Sequence, residues 1–99
     1  MVLRIIRAVP RPGGSTRWLA AVSELAEARW QGLDGLVWLI IGIVPGEPDV
    51  GMVTSVWRSW EAMRASVPTV GPGWPDVIGE LVVSWSVEMV TIAGRWATD

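Results

Sequence analysis

Thr54-Ser-Val-Trp57-Arg-Ser59-Trp-Glu61-Ala62-Met63-Arg-Ala65-Ser66 is the stretch whose reading decides the fold. Its first residues continue a period-two pattern from Val50. Met52, Thr54 and Val56 fall on one side and Val53, Ser55 and Trp57 on the other, as in a β-strand. Two residues later the chemistry changes. Ser59 suits a helix N-cap, where its hydroxyl accepts from a backbone N–H that has no partner in the helix. Glu61 then falls in the first turn, where the helix dipole favours a carboxylate. A strand that ends in Trp57 therefore passes directly into a helix that runs to about Ser66, before Pro68.

Upstream, Pro45-Gly-Glu-Pro-Asp49 reads as a tight connection. Before it, Leu36-Val-Trp-Leu-Ile-Ile-Gly-Ile-Val44 is apolar without alternation, which predicts a strand covered on both faces. Earlier still, apolar residues at 18, 19, 22, 25, 26 and 30 have helical spacing. Ser15 or Thr16 is the expected cap, Gly32 the stop, and Asp34-Gly35 a turn. Val2 to Val9 reads as the first strand, closed by Pro10-Arg-Pro-Gly-Gly14. Downstream, Gly71-Pro-Gly-Trp-Pro75 is a stiff loop and Asp76 to Leu81 one more helical turn. A last strand is predicted from Leu81 or Val82 to about Arg95, with Val83, Trp85, Val87 and Met89 on one face.

The order is β-α-β-β-α-β, an α+β ferredoxin-like unit with a four-stranded antiparallel sheet, in a single domain spanning residues 1–99. Two helices cover only one face of such a sheet. The other face needs a partner, and a second copy packed sheet on sheet, a dimeric α/β barrel, supplies one. The interface side of the second strand would carry Ile41 or its neighbour Ile40.

Composition removes whole classes of chemistry. The chain has 99 residues and eight tryptophans but no His, Cys, Tyr, Phe, Lys or Asn. No Ser-His or Cys-His pair and no Schiff-base lysine can form. Zinc sites of the ordinary type and haem held by His, Cys or Tyr are excluded, so no metal and no cofactor are expected. The net charge is −2 without clustered arginines, which argues against nucleic acid. The longest apolar run, Leu36 to Val44, is nine residues, short of the ~20 of a membrane span. Arg4 and Arg7 interrupt the apolar N-terminus, so it does not read as a signal peptide, and a cytoplasmic location is expected.

The 54–66 stretch resembles the strand-to-helix signature of the dimeric α/β-barrel superfamily, most closely its antibiotic biosynthesis monooxygenase branch. Trp57, Ser59, Glu61, Ala62 and Met63 fill the places of that signature. The resemblance implies a pocket between sheet and helices. There, flat aromatic polyketides are oxidised without metal or flavin, the substrate's own carbanion passing an electron to oxygen. A Trp at the place of Trp57 takes part in one member, assisted by an Asn and a Tyr whose places here hold Val53 and Met63. Haem-degrading relatives use a His ligand and a strand Asn, and this chain has neither residue type.

The candidate site follows from these two readings together. Trp57 is the expected pocket wall and reaction partner, and Glu88, which interrupts the apolar last strand, the expected general base. Trp38, Trp60, Trp74, Trp85, Met63, Val53 and Arg7 are the expected substrate contacts, with Trp74 as a lid. Arg4 and Arg7 fall on opposite faces of the first strand. One of them should point into a buried surface, with Glu88 as its partner. The function expected is a cofactor-independent monooxygenase, or a related enolising or cyclising enzyme, acting on a hydrophobic aromatic ligand. The alternative is an apolar-ligand-binding or dimeric structural domain whose tryptophans are packing.

Overall fold

The computed structural model describes residues 1–67 and 71–94. The strands are β1 (Val2–Pro10), β2 (Leu36–Val44), β3 (Val50–Trp57) and β4 (Val82–Thr91). The helices are α1 (Ser15–Leu25), α2 (Trp60–Ser66) and the single turn α3 (Asp76–Gly79). The sheet order is β2-β3-β1-β4 with every pairing antiparallel, which is the ferredoxin-like arrangement expected. Among the described residues no helix is long and apolar enough to cross a membrane.

Alternation in β1 and β3 divides the sheet into two faces. Val2, Arg4, Ile6 and Ala8 of β1 pair with Trp57, Ser55, Val53 and Gly51 of β3, and all eight are buried. This inner face carries the helices. One apolar cluster joins Ile6, Ala8 and Val53 to Trp18, Val22 and Leu25 of α1 and to Ile78 and Val82. A second joins Val2 and Trp57 to Met63 and Val67. Between the two clusters runs the cross-strand pair Arg4–Ser55, the only buried polar or charged side chains among the described residues. The outer face carries Trp38, Ile40 and Val44 of β2, with Val90 of β4, and all four are exposed. β2 is therefore covered on one face only in the single chain. Ile40 points outward and Ile41 toward the helices.

Ser59 caps α2 as expected, its Oγ accepting from the Ala62 N–H at 3.1 Å. Three local expectations need correction. Ser15 does not cap α1. Gly14 holds the cap position, and Ser15 Oγ instead lies 2.8 Å from Asp49 Oδ2, to which it donates. The first helix does not run regularly to Gly32. After Leu25 it widens into a π-helical turn, Ala26–Trp30, with the Gln31 N–H bonded to the Ala26 carbonyl at 2.8 Å. Val83 does not share a face with Trp85. A bulge opposite Val9/Pro10 leaves Val83 unpaired and exposed, and Val82 takes the buried place. β4 ends at Thr91, and the expected end at Arg95 lies outside the described residues.

The turn before β2 depends on its glycine. Gly35 has φ +82°, in the left-handed region that favours glycine, and a Cβ there would collide with the Ala62 side chain. The Arg58 N–H donates to the Gly35 carbonyl at 2.8 Å, so the start of β2 is tied to the β3–α2 junction. A second bulge leaves Val37 unpaired between Leu36 and Trp38.

Candidate functional site

The Arg4–Ser55 row is the chemically distinctive place in the molecule. Strand alternation turns both side chains toward the helices, into a layer that is otherwise aliphatic and aromatic. Arg4 is 3% exposed. Its Nη2 donates to the carbonyls of Gly71 and Pro72 at 3.1 and 3.3 Å. Burial lowers the pKa of the guanidinium by penalising its charged form, yet arginine remains protonated. Ser55 Oγ accepts from Trp57 Nε1 at 2.9 Å, which satisfies the indole and fixes its ring. Together with Trp30, Leu36, Leu39, Val53 and Val67, these three residues enclose a cavity of about 10 Å³. That is space for a single water at most. Among the described residues no carboxylate lines it.

Outside this cavity, between the π-helical turn and β2, lies an open groove of about 430 Å³. Ala26, Val37, Trp38 and Ile41 give it an apolar floor, and Glu27 and Gln31 stand among its polar residues. Leu36 and Leu39 line both the groove and the cavity.

The expected site residues separate into two sets. Trp57 and Val53 line the cavity, and Met63 is fully buried behind Trp57. Trp60 packs at the edge of the same cluster, its Nε1 donating to Thr91 Oγ1 at 3.1 Å and its ring lying under the Arg64 guanidinium. Trp74 rests edge-on against Trp18, with ring centroids 6.2 Å apart, and does not line the cavity. Trp85 pairs with Ala8 on the helix side of β4 but is half exposed, beside Gly71. Arg7, Glu88 and Trp38 belong to the outer face. Arg7 Nη1 lies 3.4 Å from Glu88 Oε2 in an exposed ion pair. The buried arginine is therefore Arg4, bonded to loop carbonyls, and Glu88 partners the exposed one. Within one chain Glu88 lies across the sheet from Trp57.

Arg4 and Ser55 were not among the expected contacts. A signal for Arg4 is present in the sequence, since at period two it shares a side with Val2, Ile6 and Ala8. The groove had none, because a π-helical turn leaves no mark in apolar spacing.

No family model matches the chain, and no curated protein matches it. Solved structures do. A dimeric ferredoxin-like protein from an uncultured marine organism superposes with a TM-score of 0.79 over 99% of this chain and 92% of that one, at 12% identity. SnoaB, a cofactor-independent oxygenase from Streptomyces nogalater solved as a point mutant, gives 0.71 over 95% and 94% of the two chains at 15% identity. A protein of Chloroflexus aurantiacus, provisionally assigned as an antibiotic biosynthesis monooxygenase, gives 0.71 over 98% of both chains at 21% identity. The chain has the ferredoxin-like fold of the antibiotic biosynthesis monooxygenases.

Proposed function

We propose that the chain is a cofactor-independent oxygenase of a flat, apolar, enolisable ligand, held between sheet and helices, and that it works as a homodimer joined through the outer sheet face. The observation that carries this reading is the buried Arg4 beside Ser55 and Trp57. A cation in a desolvated layer stabilises the conjugate base of a bound carbon or oxygen acid far more than it would in water. The enolate so favoured can give one electron to dioxygen. Recombination and loss of water then convert CH₂ and O₂ to C=O and H₂O. Trp57 supplies a ring face against the ligand, since its N–H is already engaged by Ser55. With no carboxylate among the described residues of the cavity lining, the ligand's proton passes to water, which restricts the substrates to those acidic enough to ionise beside a guanidinium. The tight interior must widen on binding. For the dimer, the support is the exposed apolar outer face and the likeness to a ferredoxin-like protein described as dimeric.

A second reading is favoured by the filled cavity. The tryptophans would then be packing in a dimeric structural domain.

The deciding experiment titrates the protein with an anthrone while tryptophan fluorescence and oxygen uptake are followed together. Saturable quenching with uptake above the blank, reduced in Trp57→Phe and Arg4→Met, is the expected outcome. Quenching without uptake makes the chain a binder. No quenching leaves the second reading.

A further inference from the structure

We propose that the groove between the π-helical turn and β2 is the mouth of the Arg4 cavity, and that its ligand carries an acidic group at one end of a flat apolar body. This rests on the ligand-binding reading above.

Three observations bring the groove and the cavity together. The two spaces share part of their lining, since Leu36 and Leu39 border both, and Trp30 at the end of the π-helical turn borders the cavity. The surrounding backbone is irregular on both sides of that shared lining. On one side are the π-helical turn and Gly32 at φ +82°, and on the other the Leu36/Trp38 bulge. π-helical turns of this kind recur at functional sites. The groove's size, about 430 Å³, falls within the ~300–1,000 Å³ of small-molecule sites, whereas the cavity alone falls far below it.

Charge then sets the direction of the ligand. Arg4 lies inside the cavity, and Glu27 lines the groove outside it. An oxyanion is a stronger acceptor for a guanidinium than an amide carbonyl, so it competes with Gly71 and Pro72 for Arg4. The apolar body passes between Trp30 and Leu39 and lies over Ala26, Val37 and Ile41. Its outer end meets the Glu27 carboxylate. A ligand acidic at both ends is therefore disfavoured.

The test uses anthracene-2-carboxylate and an anthracene dicarboxylate with acids at opposite ends, titrated by tryptophan quenching. Gln31 is exposed at the rim, so Gln31→Trp fills the groove without disturbing the core. It should weaken the monoacid at least tenfold, and Arg4→Met should do the same. Glu27→Gln should strengthen the diacid about threefold or more and leave the monoacid unchanged. Unchanged monoacid affinity in Gln31→Trp, with the Arg4→Met loss intact, would overturn the mouth and leave the cavity standing. Failure of the wild type to bind the monoacid, or indifference to Arg4→Met, would overturn both.

Discussion

The two faces of one sheet have opposite fates here, although the same strands build both. On the inner face the helices close over Trp57, Met63, Ile6 and Val53, and the one charge admitted among the described residues, Arg4, is bonded to loop carbonyls. On the outer face Ile40 is 60% exposed and Trp38 44%, and the charges, Arg7 and Glu88, pair with each other. The difference teaches that burial in this chain is decided by what covers a face rather than by how apolar the face is. β2 is apolar on both sides but buried on neither as deeply as β1 and β3 are on their inner side.

The most severe way to break the comparison is to charge the bare face. Ile40→Asp should abolish the proposed dimer, leaving monomer or aggregate in sedimentation at micromolar concentration. A wild-type chain that is already a soluble monomer would sink the barrel assembly. Next is the covered face. Trp57→Ala should cost ~3–5 kcal/mol in urea unfolding, because the indole leaves a void among side chains that cannot collapse into it. Arg4→Met should change stability by less than about 2 kcal/mol, since an apolar side chain of similar length suits the layer. A larger loss would mean that the bonds to Gly71 and Pro72 matter more to folding than to ligand. Arg7→Ala sharpens the contrast further. If the outer face stays wet, an exposed pair at 3.4 Å contributes under ~1 kcal/mol. If a second copy covers it, leaving Glu88 alone in the interface should cost several-fold more. Denaturation at two protein concentrations separates the cases.

The smallest effect concerns acid. The Asp49 carboxyl is held below its ordinary range by the Gly46 N–H and then by the Ser15 hydroxyl. Its contribution is thus present above the unfolded-state value near 4 and fades as the pH falls through the lower folded value. Asp49→Asn should flatten that part of the stability–pH curve slightly.

The strand-to-helix junction at Trp57–Ser59 was legible because it is local. A cap, a first-turn carboxylate and a period-two strand each act within a few residues. The inner set Val53, Ser55 and Trp57 followed from alternation alone. What resisted reading was each place where one extra residue breaks a period, namely the π-helical turn at Ala26–Trp30 and the bulges at Val37 and Val83. Register also lay beyond the sequence. Pairing Arg7 rather than Arg4 with Glu88 depends on which residues stand opposite across β1 and β4, and that is a long-range fact. The candidate site was therefore half visible. Its aromatic wall could be named, as could Trp38 on the groove floor, but Arg7 stood in the place of the buried cation, Arg4, and the groove itself was not foreseen.

The inner face of β3 also holds a residue without a side chain. Gly51 lies directly under Trp18, and a Cβ there would collide with the indole ring. The smallest and the largest amino acids thus form one volume shared between two positions 33 apart. Neither can change size by itself, yet both can change together with little loss. A core assembled from such exchangeable pairs can hold its backbone through large changes of sequence.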